Sequence, residues 1–362
     1  MQLGPQRLRV DGACGLAGAL ALMLASMMAG CGVPGEPLPP LLEIPLPTND
    51  LAAEQVGARV LLRFSAPRLT TEGTLIRYLD RIEIHGAFLP QASSAEAFPE
   101  QARLLATLPA EQIPEGAAQL VYELPLEAAH RGARAVFAIK AVNHREMDGG
   151  ISNVVSLEIA ELPEPPAELQ ATLTEPAIQL RWVPPQRSAF GGAASAPEGY
   201  EVYRSEADSA GPAQLLATTV DPSYEDRAFA FGSRYIYTVR AIAVRGDSTA
   251  RTPESNRAEV AAVDRFPPGA PQNLRAIAVA GAIELAWSPN AEADLAGYHL
   301  YRGEEGAFVR LNADLLDLPL YRDTTIQAGR QYRYQVKAVD RAGNEGPPSP
   351  AADVRTESEP RP

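Results

Sequence analysis

Three stretches of this sequence lie over one another: Arg134-Ala135-Val136-Phe137-Ala138-Ile139-Lys140-Ala141-Val142, Arg234-Tyr235-Ile236-Tyr237-Thr238-Val239-Arg240-Ala241-Ile242 and Gln331-Tyr332-Arg333-Tyr334-Gln335-Val336-Lys337-Ala338-Val339. Equivalent positions are 100 and 97 residues apart, the spacing of whole domains rather than of a solenoid. Within each stretch the alternation has a period of two. Tyr332, Tyr334, Val336 and Ala338 fall on one face and Arg333, Gln335 and Lys337 on the other, the pattern of a strand that buries one face and wets the other.

Two further runs recur upstream in each copy. The first ends in an aromatic residue and is followed by proline: Val60 to Phe64 before Pro67, Ile178 to Trp182 before Pro184, and Ile283 to Trp287 before Pro289. The second reads Ile82-Glu83-Ile84, Tyr200-Glu201-Val202-Tyr203-Arg204 and Tyr298-His299-Leu300-Tyr301-Arg302. Helical spacing is nearly absent, and 33 prolines favour short strands and turns. The expected fold is all-β, as tandem antiparallel sandwiches. With 362 residues there is room for two or three domains, and 46% hydrophobic against 21% charged residues is enough to pack their cores.

The chain resembles the fibronectin type III family from about Pro39 to Thr356. The matching residues are Pro165-Pro166 with Leu169 and Pro267-Pro268 with Leu274, Trp182 and Trp287, Gly232 to Tyr235 and Gly329 to Tyr332, Ser255-Asn256 and Ser349. The resemblance implies three immunoglobulin-like sandwiches of seven strands in two sheets, with Tyr235 and Tyr332 as tyrosine corners. The first copy departs from the pattern: Phe64 replaces the tryptophan, Ala135 the corner tyrosine, and the segment from Gly86 to Ala117 is longer. The expected organisation is a leader over 1–30, a lipidated cysteine and tether over 31–40, sandwiches over 41–162, 163–265 and 266–356, and a frayed tail over 357–362. Short Pro-rich junctions, Glu161 to Pro166 and Phe266 to Pro271, predict a stiff rod.

At the amino terminus Arg7 and Arg9 precede an uncharged stretch from Gly12 to Val33, which ends in Met28-Ala29-Gly30-Cys31. Basic, apolar and small residues in that order form a secretory signal. Its end resembles the lipobox of bacterial lipoproteins, which implies cleavage between Gly30 and Cys31 and a covalent lipid on Cys31. Two alternatives stay open: an ordinary cleaved signal peptide, and an uncleaved helix, since these 22 residues could just span a hydrocarbon layer. Gly32, where enteric inner-membrane lipoproteins carry Asp, implies the outer membrane; without acylation the chain would be secreted. Gly32 to Pro40 reads as a semi-rigid tether.

Catalytic signatures are missing from the sequence. It has no Gly-x-Ser-x-Gly elbow, no P-loop and no dinucleotide fingerprint, and its two cysteines, Cys14 and Cys31, both lie near the amino terminus. Net charge is −13, and 30 basic against 44 acidic residues remain once the leader is removed, which argues against a nucleic-acid partner. The four histidines are scattered, and His144 with Glu146 and Asp148 forms only a solvated loop, so no metal or other cofactor is assigned. The candidate binding loop is Arg245-Gly246-Asp247, an integrin-type tripeptide that also suits an ordinary exposed turn. Phe190, Phe229 and Phe231 are the candidate glycan platforms. The expected function is a non-enzymatic, membrane-anchored envelope lipoprotein acting as a spacer or protein-interaction arm. The alternatives are an adhesin or glycan-binding protein of the cell surface and an accessory subunit of an envelope enzyme complex.

Overall fold

The computed structural model describes residues 42–90, 98–114, 118–209, 211–246, 248–303 and 306–357. The leader, Gly30, Cys31, the tether, Asp247 and nearly all of the tail lie outside them. The described chain is built of fibronectin type III-like sandwiches. In the first, β1 (Ala52–Val56), β2 (Arg59–Phe64) and β5 (Leu120–Pro125) form one sheet. Facing it are β4 (Arg103–Pro109), β3 (Leu79–Leu89) and β6 (Arg134–Asn143), with β7 (Asp148–Ile151) and β8 (Val155–Glu158) along the outer edge of β6.

The second sandwich repeats this plan. It sets β9 (Ala167–Leu173), β10 (Ile178–Val183) and β13 (Ser223–Asp226) against β12 (Gln214–Thr219), β11 (Gly199–Glu206), β14 (Arg234–Arg245), β15 (Ser248–Arg251) and β16 (Ala258–Ala261). The third sets β17 (Gln272–Val279), β18 (Ala282–Ser288) and β21 (Leu320–Asp323) against β20 (Val309–Arg310), β19 (Leu295–Gly303), β22 (Gln331–Asp340) and β23 (Ala352–Arg355).

Alternation places the cores. Tyr332, Tyr334, Val336 and Ala338 are buried against Ile283, Leu285 and Trp287, and Trp182 meets Tyr200 edge-on at 5.2 Å as Trp287 meets Tyr298. Both corner tyrosines form: the Tyr235 hydroxyl accepts the Ala230 N–H at 3.0 Å and the Tyr332 hydroxyl that of Gln327 at 2.8 Å. Each follows a glycine with positive φ, Gly232 and Gly329, where the chain must turn left-handed.

A polar network beside the corners recurs in two copies only. Asp226 accepts Arg204 at 2.7 Å and the Tyr237 hydroxyl at 2.8 Å, with the guanidinium 4.9 Å from the Tyr235 ring centroid. Asp323 repeats this with Arg302, Tyr334 and Tyr332. Burial and then the adjacent carboxylate push the Tyr237 and Tyr334 hydroxyls far above the usual range. By strand register the first sandwich puts Gly86, Leu124 and Phe137 at the three positions, an apolar replacement for the whole network. Such a set is replaced together or not at all, because one buried charge left alone is costly.

The long insertion in the first copy supplies one helical turn, α1 (Phe98–Gln101). Its Phe98 is buried on Ala87, Leu89, Val136 and Ala138, so it covers the outer face of the β3–β6 sheet.

The first two sandwiches are more tightly joined than short linkers imply. β1 pairs in parallel with β15 through Val56 and Arg251, so one sheet runs from one sandwich into the next in the order β12-β11-β14-β15-β1-β2-β5.

Candidate functional site

The residues singled out in the sequence do not converge on a pocket. Arg245 and Gly246 lie at the β14–β15 hairpin, but the Arg245 guanidinium is held by Glu198 and by the Val244 carbonyl at 2.6 Å. That hydrogen bond, reinforced by the Val244 N–H, keeps the Glu198 carboxyl below its usual range. Phe190 packs against the core of the first sandwich, and Phe229 against that of the second. Phe231 stands 5.1 Å from Phe229 and 6.1 Å from Phe266 of the second junction. Phe190 and Phe229 thus cover sandwich ends, while Phe231 stays 40% exposed beside the second junction. In the His144 loop, Glu146 is bound by Arg81 at 2.6 Å and Asp148 lies 3.4 Å from Lys140, so neither turns to the imidazole, which meets the edge of Tyr78.

What the fold does assemble is the first junction. Arg251 grips Glu201 with two hydrogen bonds of 2.7 and 2.9 Å and reaches Glu54 of the first sandwich at 3.2 Å. Glu201 is 5% exposed and also accepts the Tyr203 hydroxyl at 2.6 Å. Burial alone would raise its carboxyl, but Arg251 and Tyr203 outweigh this and hold it below the usual range. Below them the buried Gln55 amide donates to the Gly57 and Ala160 carbonyls and accepts the Ala160 N–H. Gly57 itself accommodates a left-handed turn, its N–H bound to Arg251. Gln55, Gly57 and Ala160 all belong to the first sandwich, so this amide ties β1 to the exit of its own sandwich, and what crosses the junction is the β1–β15 pair and the Arg251–Glu54 bond.

A second assembly lies on the outer face of the third sandwich. Glu345 accepts Lys337 at 2.8 Å, Tyr301 at 2.5 Å and His299 at 2.9 Å. Although burial opposes it, these donors hold its carboxyl at about 2, while burial and then Glu345 push Tyr301 up to about 12. His299 faces outward, as its place between Tyr298 and Leu300 implies.

At the second junction, carboxylate oxygens of Asp264, Asp294 and Asp340 all lie within 4.8 Å of one another. Hard oxygen donors of this kind suit Ca²⁺, which takes six to eight of them. Asp340 is already engaged by the backbone and side chain of Asn344, both at 2.8 Å. The sequence assigned no metal residues, and three acids spread over a linker, a loop and a strand end gave no spacing signal.

Among the described residues, no helix is long and apolar enough to cross a membrane. No family model matches the chain. Exoglucanase B of Cellulomonas fimi is 29% identical over 204 residues, which cover 54% of this chain and 17% of that protein. The chain thus spans well under two thirds of the relative it matches. Among solved structures, the crystal structure of chicken CNTN1 FN1-FN3 domains aligns with a TM-score of 0.27 and 16% identity, over 87% of this chain and 100% of that one.

Proposed function

We propose that this protein is a non-enzymatic lipoprotein of the cell envelope, held by an acylated Cys31, whose three sandwiches act as a spacer or protein-interaction arm. The observation that carries this reading is the continuous sheet across the first junction, reinforced by the Arg251–Glu54 bond. Intact mass and detergent partitioning of the protein made in a bacterium test the anchor, with Cys31→Ser as the control. Acyl mass and detergent partitioning that disappear in the variant support it; identical soluble chains would overturn it. A second reading is an accessory arm of a carbohydrate-acting complex, favoured by the partial similarity to Exoglucanase B. Retention on cellulose of the protein with intact junctions would favour it over the spacer.

A further inference from the structure

One local device occurs twice in the fold with opposite chemistry. In the second sandwich the incoming linker adds to a loop hairpin: Pro163 bridges Ser188, Arg187 bridges Ala193, and the Glu164 N–H binds the Arg187 carbonyl. In the first sandwich Pro45 bridges Thr70, Leu69 bridges Leu75, and the Leu46 N–H binds the Leu69 carbonyl. Register therefore puts Glu164, Arg187 and Ala193 in one cross-strand row, and Leu46, Leu69 and Leu75 in the other. The first of these rows carries an ion pair of 3.7 Å. In the second row, the three leucines are 46, 42 and 71% exposed, flanked by exposed Leu42 and Tyr78.

We propose that the Leu46, Leu69 and Leu75 row is a bilayer-contact surface that seats the first sandwich on the headgroup–acyl boundary. This rests on the anchor reading. Ten residues separate Cys31 from Leu42, a reach of at most about 40 Å, and the chain enters the fold beside the row, where the Leu42 N–H binds Glu72. Three leucines fall far short of the roughly 800 Å² per partner that a stable protein interface buries. A small apolar row suffices at a membrane, because the anchor already holds it at high local concentration. In the equivalent hairpin of the second sandwich Phe190 packs against the first core, while the row itself is polar, its Arg187 and Glu164 exposed to water.

The test uses the chain from Cys31 onward, which retains every described strand and has a single thiol. It is coupled through that thiol to a maleimide lipid in phosphatidylcholine vesicles with brominated acyl chains, with Leu75→Trp as reporter. The expected result is a blue shift and bromine quenching beyond the Trp182 and Trp287 baseline, both lost when Leu46→Glu and Leu69→Arg are added. The same backbone carries Glu and Arg in the second sandwich, so these changes leave the fold intact. A coupled chain whose reporter is neither shifted nor quenched overturns the proposal. So does a blue shift that follows protein concentration without lipid, which would mark a second copy as the occupant. Because the coupling is chemical, absence of acyl mass in cells would refute the anchor alone.

Discussion

Truncating Arg251 to alanine is expected to cost the second sandwich about 3 kcal/mol at neutral pH, the low end for removing one partner of a buried ion pair. Arg251 is the partner that meets solvent, its side chain 27% exposed, whereas that of Glu201 is 6% exposed. The loss therefore comes mainly from exposing Glu201 to its burial cost, against which it keeps the Tyr203 hydroxyl and the charge of Arg240. The sign of the pH dependence follows. In the native chain the Glu201 carboxyl lies below its ordinary value of 4.5, so it stabilises the fold above that pH, and the stabilisation fades as acid protonates it. Without Arg251, burial is opposed only by the Tyr203 hydroxyl and the charge of Arg240, so the carboxyl moves up from its native value and the stabilisation that Arg251 gave ionised Glu201 is missing at neutral pH. The gap between native and variant proteins should thus be widest near neutrality and close as pH falls through the carboxylate range. Urea unfolding followed by Trp182 in a Trp287→Phe background measures it, with Glu54→Gln as the control that weakens the bond between sandwiches and the 3.6 Å pair with Arg63 but leaves Glu201 paired. A gap that is flat with pH, or an Arg251→Ala cost no larger than that of Glu54→Gln, would refute the reasoning.

Three further changes probe the interior. Asp323→Ala removes the carboxylate that holds Arg302, the Tyr334 hydroxyl and Thr325, leaving the buried Tyr334 hydroxyl without its acceptor, and should cost the third sandwich about 3 kcal/mol in urea unfolding read by Trp287, against about 1 kcal/mol for Tyr334→Phe; equal costs would show that the carboxylate does not organise the network. Gly86→Ala would put a Cβ 2.5 Å from Leu105 and 2.8 Å from Phe137, an overpacking penalty of about 1–3 kcal/mol, and an unchanged melting temperature for the first sandwich would contradict it. Glu345, held at about 2 against an ordinary 4.5, stabilises the third sandwich above 4.5 and loses that contribution as pH falls toward 2; Glu345→Gln should flatten this part of the stability–pH curve, and a variant as steep as the native protein would exclude it.

The strand cores were legible because alternation is a local signal: Tyr332 to Ala338 declare their buried face without reference to any partner. Tyrosine corners were legible for the same reason, since Gly-x-x-Tyr is contiguous. The networks that distinguish the copies were not. Arg204, Asp226 and Tyr237 lie on three strands, and only register shows that Gly86, Leu124 and Phe137 replace them as a set. Gln55 reads as one polar residue in a strand, yet its partner Ala160 is 105 residues away. The Arg245 loop was conspicuous as a tripeptide, but its guanidinium is directed by Glu198, which no local pattern identifies.

The two junctions differ in how they resist bending. The first has a shared strand pair, closed by the Gly57 N–H on the Arg251 carbonyl, and the Arg251 bond to Glu54, so bending there breaks hydrogen bonds that cross the junction. At the second, no strand of one sandwich pairs with a strand of the other among the described residues; the linker is met by the Phe231–Phe266 contact and by Asn344 donating to the Asp264 carbonyl at 3.4 Å. Bending is therefore expected at the second junction, between a rigid pair and a single terminal sandwich. Spin labels at the exposed Glu123→Cys, Glu225→Cys and Glu284→Cys sites, taken two at a time in a Cys31→Ser chain begun at residue 31 so that Cys14 is absent, should give a narrow distance distribution across the first junction and a broader one across the second. Equal widths would mean that the paired strands add no stiffness beyond a short proline linker, and the rigid-pair account would fail.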